Sequence, residues 1–208
     1  MKKLLIIGAG GFGREVHAWA RQHPDCGGRW EFAGFLDDNT AALREYGDFA
    51  PVRPLRGHRP TEEFLYLNGL AVPELKQELL PPLVAAGAEF LTFVHPSAKV
   101  GERVTLGRGA VLCPGAIVTA DATLGAFVTL NLRATVGHDA VVGDWTTASA
   151  HCDITGFVKV GAGVFMGTRA SVIPGRQVGA GARLAAGAVV FADVAPGVTV
   201  FGNPARVL

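Results

Sequence analysis

From Val94 onward, every sixth residue of this chain is large and aliphatic. The series runs Val94, Val100, Leu106, Leu112, Val118, Leu124, Leu130, Val136, Val142, Ala148, Ile154, Val160, Met166, Val172, Val178, Leu184 and Val190, and only Ala148 in it is small. Four places after these marks stand small residues such as Ala98, Ala110, Ala116, Ala134, Ala140, Ala170, Ala182 and Ala188. Gly directly follows the mark at 101, 107, 125, 137, 143, 161, 167 and 179. Nothing is inserted anywhere in the series. A period of six matches neither the 3.6-residue helical turn nor the simple alternation of a strand. It fits a parallel β-helix, in which each hexapeptide is one short strand and one corner and three of them close a triangular coil. The mark points inward and stacks on the mark one coil away. The small residue sits near the corner, where a large side chain would overpack. The glycines are expected to supply the backbone freedom of the turns. An open stack needs capped ends, because its terminal coils expose unpaired strand edges. "PGVTVFGNPARVL" is the expected cap at the far end.

Before Val94 the pattern changes to alternating strand and helix. "KLLIIGAGGFGREVHAWARQ" reads as strand, glycine turn and helix, and "WEFAGFLDD" as a second strand ending in acid. "EEFLYLNGL" reads as a third strand, and "PELKQELLPPLVAAG" as a helix with Leu75, Leu79 and Leu80 on one face. "EFLTFVHP" is a strand leading out, and the Pro- and Arg-rich residues 39–60 read as a loop. Strand–helix–strand connections of this kind make a parallel sheet. The division expected is a small Rossmann-like α/β domain over 1–90 and an all-β parallel β-helix over 91–208.

"GAGGFG" is G-x-G-x-x-G between a strand and a helix, the context in which that spacing carries meaning. Gly8, Gly10 and Gly11, with Phe12 opening the helix, bring backbone N–H groups and a helix N-terminus towards a phosphate. Asp37 and Asp38, at the end of the second strand, are placed to read a ribose or a base. A dinucleotide is one reading of the motif, but the segment is little more than half of a full dinucleotide fold. A nucleotide sugar fits its length better. A tight strand–helix turn with no ligand is the plain alternative.

Bulk properties exclude several classes. Across 208 residues the formal net charge is +1, which offers no basic face for nucleic acid. Hydrophobic residues make up 49% and charged ones 18%, as expected of a well-buried globular protein. The apolar run after Met1-Lys2-Lys3 is too short to cross a bilayer and does not read as a secretory leader. Cys26, Cys113 and Cys152 form no C-x-x-C pair, so small buried hydrophobes in a reduced, cytoplasmic compartment are expected.

The stretch "NLRATVGHDAVVGD", residues 131–144, breaks the monotony of the repeat with His138 and Asp139. His138 lies two places after the mark Val136, a register position that faces outward. The other histidines read differently: His17, His23 and His58 as helix or loop surface, His95 as part of the first coil, and His151 as a surface or interface residue.

With these pieces in view, the chain resembles the left-handed β-helix acyltransferases. Within them it is similar to bacterial sugar acyltransferases: the sialic acid O-acetyltransferase type and the nucleotide-4-amino-sugar N-acetyltransferases of surface-glycan pathways. The likeness covers essentially the whole chain and rests most on "GAGGFGRE" at 8–15, "FLDD" at 35–38, "VHPSAKVG" at 94–101, residues 131–144, "VIPG" at 172–175 and "GNPA" at 202–205. The left hand of the coil is implied by the resemblance, not by the period. So is an activity: transfer of acetyl from acetyl-CoA, with no metal, to an amine or hydroxyl of a sugar, in a homotrimer with active sites between neighbouring prisms. The resemblance makes His138 the general base, supported by Asp139. It aims the backbone N–H of Gly156 at the thioester carbonyl and puts Asn131 near the sugar. The α/β half would hold the nucleotide. Gly167, Thr168 and Ala186 would line the groove for the pantetheine arm, although they also obey the structural repeat. Some relatives carry a second histidine nine residues after the base; Thr147 stands there in this chain, and the nearest histidine is His151. Arg169, Arg176, Arg183 and Arg206 are candidates for the CoA phosphates, and equally for solvated corners.

The chemistry suits these residue types. A thioester is already activated, so the difficulty lies with the nucleophile, which must lose a proton as it attacks. Histidine is the one side chain that titrates unperturbed near neutrality. A neighbouring carboxylate fixes the productive tautomer, and a backbone N–H stabilises the developing oxyanion. Histidine serves amine and hydroxyl alike, so O-acetylation of a sialic acid-like sugar stands beside N-acetylation. Zinc carbonic anhydrases also use hexapeptide β-helices, but their pair of histidines five apart is missing, and three zinc ligands cannot be assembled here. A noncatalytic scaffold and a dehydrogenase built on the glycine motif complete the alternatives.

Overall fold

The computed structural model describes residues 1–47 and 50–208. They divide into two compact units: residues 1–71 with 78–91, and residues 72–77 with 92–208.

The first unit is built on a parallel four-stranded sheet. Its strands are β1 (Lys2–Ile7), β2 (Trp30–Leu36), β3 (Val52–Arg53) and β4 (Phe64–Asn68), in the order β3-β2-β1-β4. β1 is buried from Leu4 to Ile7, as a central parallel strand covered on both faces must be. Helix α1 (Gly11–Gln22) buries Gly13, Val16, His17 and Ala20, one stripe at i, i+3, i+4 spacing. His17 is therefore not the surface residue its type suggested. It packs 4.2 Å from the Phe32 ring, and burial, with Arg21 adding to it, pushes its imidazole below the ordinary value. His58 is also drawn in, bonded to the Tyr66 hydroxyl at 2.8 Å. The expected loop over 39–60 contains a single 3-10 turn (Arg44–Tyr46) and β3; Asp48 and Phe49 fall outside the described residues.

Helix α2 (Pro73–Ala85) forms where expected, but its buried stripe is not the leucine face read from sequence. Leu75 is exposed, and Pro73, Lys76, Leu80 and Leu83 are buried. "EFLTFVHP" likewise splits: Phe90 makes only an isolated bridge to Tyr66, and Phe93–Val94 begins the β-helix.

The second unit is the expected three-sided stack. Strands starting at Phe93, Val111, Thr129, Thr147, Phe165, Arg183 and Thr199 form one parallel sheet. Those starting at Lys99, Ile117, Thr135, Asp153, Ser171 and Val189 form the second. The third begins at Thr105, Thr123, Val141, Lys159 and Gln177. Partners stand one coil apart in strict register, as in Thr105↔Thr123↔Val141↔Lys159. Every mark from Leu112 to Val190 is at most 3% exposed, and so are Ala110, Ala116, Ala134, Ala140, Ala170, Ala182 and Ala188, four places after a mark. The core is a column of stacked aliphatics with small residues at its corners. The last coil is shorter, with Arg183 pairing to Thr199, and Arg206–Val207 then folds back antiparallel to close that sheet.

The corners overturn one expectation. The left-handed backbone that turns each corner lies three residues after the mark, not at the glycine directly after it. A φ between +55° and +74° recurs at 103, 109, 115 and every sixth residue to 187. Glycine fills six of these positions. Arg103, Asp121, Phe127, Arg133, Asp139, Trp145, His151, Phe157 and Arg169 fill the rest. The glycine after the mark answers a different demand, close approach of the next coil. A β-carbon on Gly137 would come within 2.5 Å of the Gly156 nitrogen, and one on Gly143 within 2.6 Å of the Ala162 nitrogen.

One sheet face of this unit carries a buried cation. Lys76 is fully buried, and its Nζ donates to the carbonyls of Phe127 (2.9 Å) and Thr146 (3.2 Å) and to the hydroxyl of Thr147 (2.8 Å). Burial pushes its ammonium well below the usual lysine range. At the corner beside that face the Phe127 and Trp145 rings stack at 4.7 Å.

Candidate active site

Residues 101–104, 119–122, 137–140, 155–158 and 173–176 make one long edge of the prism. Asp139 occupies the left-handed corner position, φ +58°, which aspartate tolerates better than most residues. That conformation sets its carboxylate beside the preceding side chain: His138 Nδ1 lies 2.9 Å from Asp139 Oδ2. A carboxylate only accepts, so Nδ1 carries the proton and Nε2 presents a lone pair. The side chain is 57% exposed, in keeping with its outward register position. The Phe157 ring stands perpendicular to the imidazole, centroids 5.0 Å apart, and limits its tilt.

Gly156 is one coil on from His138. A β-carbon there would lie 2.7 Å from Nε2 and 2.9 Å from Cε1, so only glycine leaves room for the ring. Among the described residues nothing accepts the Gly156 N–H. On two other coils the equivalent N–H is taken: Ala126 donates to Asp144 Oδ1 at 2.7 Å, and Leu132 to Asn131 Oδ1 at 2.6 Å. The edge thus sets a basic nitrogen and an unused donor side by side.

The other residues singled out in this unit stand on the edge before it. Asn131 turns its carboxamide oxygen to its own neighbour's N–H. Gly167, where a β-carbon would approach the Ala186 nitrogen to 2.7 Å, shares that edge with Thr168, Ala186 and His151. A shallow cavity of about 400 Å³ opens there between Ser97, Pro114, Gly115, Leu132, Arg133 and His151. A single chain does not bring this edge to His138. Cys152 is no nucleophile: it is buried, its Sγ donates to the Gly167 carbonyl at 3.1 Å, and burial pushes its thiol up to about 11. Among the described residues no cluster of His, Cys, Asp or Glu could hold a metal ion, and no helix is long and apolar enough to cross a membrane.

In the first unit the glycine loop follows β1. The chain steps outward from β1 to β2 and β3, then returns to place β4 on the other side of β1. The C-terminal ends of β1 and β4 are therefore a topological switch point, where open parallel sheets take their ligands. Gly8 needs its φ of +94°, and Gly13 lets the helix lie against the Gly8 carbonyl. Gly10 and Gly11 satisfy neither need. A β-carbon on Gly10 would meet nothing within 4 Å and one on Gly11 only the tip of Arg14, so open space lies before them. Phe12 is half-buried at the start of α1 and meets Trp19 edge-on at 6.4 Å. Asp37 braces the loop, accepting Ala9 N–H and Asn39 N–H, each at 2.8 Å. Asp38 accepts Arg56 N–H at 2.7 Å and borders a cavity of about 220 Å³ with Arg56, His58 and Glu78.

Sequence reasoning missed Asn68. It is fully buried at the end of β4, its Oδ1 accepts Leu70 N–H at 3.0 Å, and its Nδ2 has no partner among the described residues. A polar residue followed by glycine at the end of an apolar strand was the available signal.

A three-sided β-helix bearing an outward His–Asp pair beside a free backbone donor, joined to a nucleotide-type α/β unit, defines a class: the chain belongs to the β-helix sugar acetyltransferases. Residues 3–56 match the family described as the PglD N-terminal domain. The chain is 29% identical to GDP-perosamine N-acetyltransferase of Escherichia coli O157:H7, over 97% of its own length and 94% of the relative's. The acetyltransferase domain of PglB from Neisseria gonorrhoeae FA1090, solved in complex with acetyl coenzyme A, is 31% identical and superposes with a TM-score of 0.87, covering 100% of this chain and 99% of that one. PerB from Caulobacter crescentus, solved with CoA and GDP-perosamine, is 27% identical, with a TM-score of 0.83 over 100% of this chain and 98% of that one.

Proposed function

We propose that this protein transfers the acetyl group of acetyl-CoA directly to the amine of a nucleotide-linked amino sugar. The observation that carries the reading is the pairing of His138 Nε2, its lone pair set by the Asp139 contact at Nδ1, with the unused Gly156 N–H one coil away. The amine nitrogen attacks the thioester carbonyl and gives its proton to Nε2. The C–N bond forms while the carbonyl electrons move onto oxygen, which the Gly156 N–H stabilises. When the C–S bond breaks, the imidazolium returns the proton to the CoA sulfur. No covalent enzyme intermediate is needed.

The glycine loop, with open space before Gly10 and Gly11 and a helix N-terminus behind them, suits the diphosphate of the sugar donor. Asp37 holds that loop in shape, and Asp38 is the carboxylate at hand for a base or ribose. Asn131, Gly167, Thr168 and Ala186 reach His138 only if a neighbouring protomer supplies their edge, which supports a homotrimer with sites between prisms. The use of acetyl-CoA and a nucleotide sugar supports a cytoplasmic reaction. An amine acceptor is favoured over a hydroxyl because the full-length relatives are named as N-acetyltransferases.

The test is a panel of GDP-, UDP- and dTDP-linked amino sugars with acetyl-CoA, following thiol release and the mass of the product. One amino sugar should gain an acetyl group on nitrogen. Thiol release with no nucleotide amino sugar in the panel, or acetyl found on oxygen, would refute it.

A further inference from the structure

The catalytic edge carries a second ion pair directly before the His–Asp pair. Arg103, Asp121 and Asp139 occupy the same left-handed corner position on three successive coils. Arg103 grips Asp121 with two parallel bonds, Nε to Oδ1 at 2.6 Å and a terminal nitrogen to Oδ2 at 2.7 Å, the fork geometry that fixes a guanidinium on a carboxylate. Asp139 N–H donates to the Ala120 carbonyl at 3.2 Å, so Asp121 and Asp139 sit on hydrogen-bonded coils, about one strand spacing apart (~5 Å). Both carboxylates lie on the edge that presents His138.

We propose that Arg103 is a positioning residue for the base: by gripping Asp121 it keeps a second free carboxylate from competing with Asp139 for the His138 imidazole. The inference rests on the general-base reading of His138 given above. Its electrostatics point one way. Arg103 holds the Asp121 carboxyl below its ordinary value, chiefly through the side-chain bonds, and the His138 charge acts on Asp121 in the same direction. Other charged groups on this edge and its flanking strands are Glu102, 3.4 Å from Arg103, Asp153 and Lys159 one coil on, and Arg176, paired with Asp193 at 3.9 Å. Asp153 is committed to the Thr135 hydroxyl at 2.5 Å. The side chains of Arg103 and Asp121 are exposed, so replacing them is expected to spare the fold.

The experiment is a charge cycle read on the ring itself. Protein carrying 13C-labelled histidine is titrated by NMR as wild type, Arg103→Met, Asp121→Asn and the double variant, with His138→Asn assigning the signal. Arg103→Met frees a negative charge and should raise the His138 midpoint by about half a pH unit, the size of a Coulomb interaction between exposed charges one coil apart. Asp121→Asn frees a positive charge and should lower it by a similar amount, and the double variant should return to wild type. The acid limb of kcat/KM should move with the midpoint. Equal midpoints in all four proteins, or a double variant that fails to return, would overturn the inference. A cycle that closes on the ring in a protein that acetylates no sugar would instead refute the proposed function and leave the charge coupling standing.

Discussion

His138 stands over Gly156: the imidazole Nε2 occupies the space that a β-carbon at 156 would need, 2.7 Å away. The proposed base and the proposed oxyanion donor are thus set against each other by the stacking of two coils, and one methyl group tests both. Gly156→Ala should keep the fold, since the added methyl points out of the prism. It should displace the ring and screen the N–H, lowering kcat by about 10²-fold, the usual cost of one oxyanion donor. Steady-state kinetics with a circular dichroism melt check it; wild-type turnover would mean that the juxtaposition has no catalytic use.

Two glycines that look alike in sequence should differ sharply in stability cost. Gly107 follows a mark, and its β-carbon would fall on the backbone of Gly125, so Gly107→Ala forces two coils apart. A loss of about 3 kcal/mol or more is expected from such overpacking. Gly187 turns a corner at φ +70° with nothing within 4 Å of a β-carbon, so Gly187→Ala should cost only the left-handed strain, about 1–2 kcal/mol. Urea denaturation of the pair measures the difference.

Lys76 gives a pH dependence of known sign. Its folded value lies well below the ordinary 10.5, through burial, so the unfolded chain holds that proton more tightly than the folded one. Between the two values the unfolded state binds more protons, and stability therefore rises with pH across that window. Below the folded value the full penalty of burying the charge applies. Wild type should gain stability relative to Lys76→Met as pH rises towards 10, seen as diverging urea midpoints. Parallel curves would show that the ammonium is not held out of its usual range.

Much of this was legible before any coordinates. The six-residue period located every strand of the prism through Val190, because one burial rule repeats at every coil. It did not say why the glycines recur: a close approach between coils is a contact across a whole turn, and local sequence cannot separate it from a turn glycine. Arg103, Phe157 and Trp145 hide the true left-handed position for the same reason, since stacking holds them in a conformation their type disfavours. Nothing in the sequence marks Lys76, one lysine within a short helix. What buries it are carbonyls and hydroxyls 51 to 71 residues away in the chain. His138 and Asp139 were visible as an interruption of the repeat, whereas their neighbours Arg103 and Asp121 conform to ordinary corner chemistry and carry no such mark. Asn131 shows the remaining limit: the place beside the sugar expected for it needs an edge that a single chain does not present to His138.

The most direct test is the thiol-release rate of His138→Ala against wild type, with acetyl-CoA and the accepted amino sugar at saturation and thermal melting measured alongside. A fall of about 10²–10⁴-fold in kcat with an unchanged melt is expected when a general base is removed. A variant that keeps its fold and turns over near the wild-type rate would contradict direct transfer driven by this imidazole.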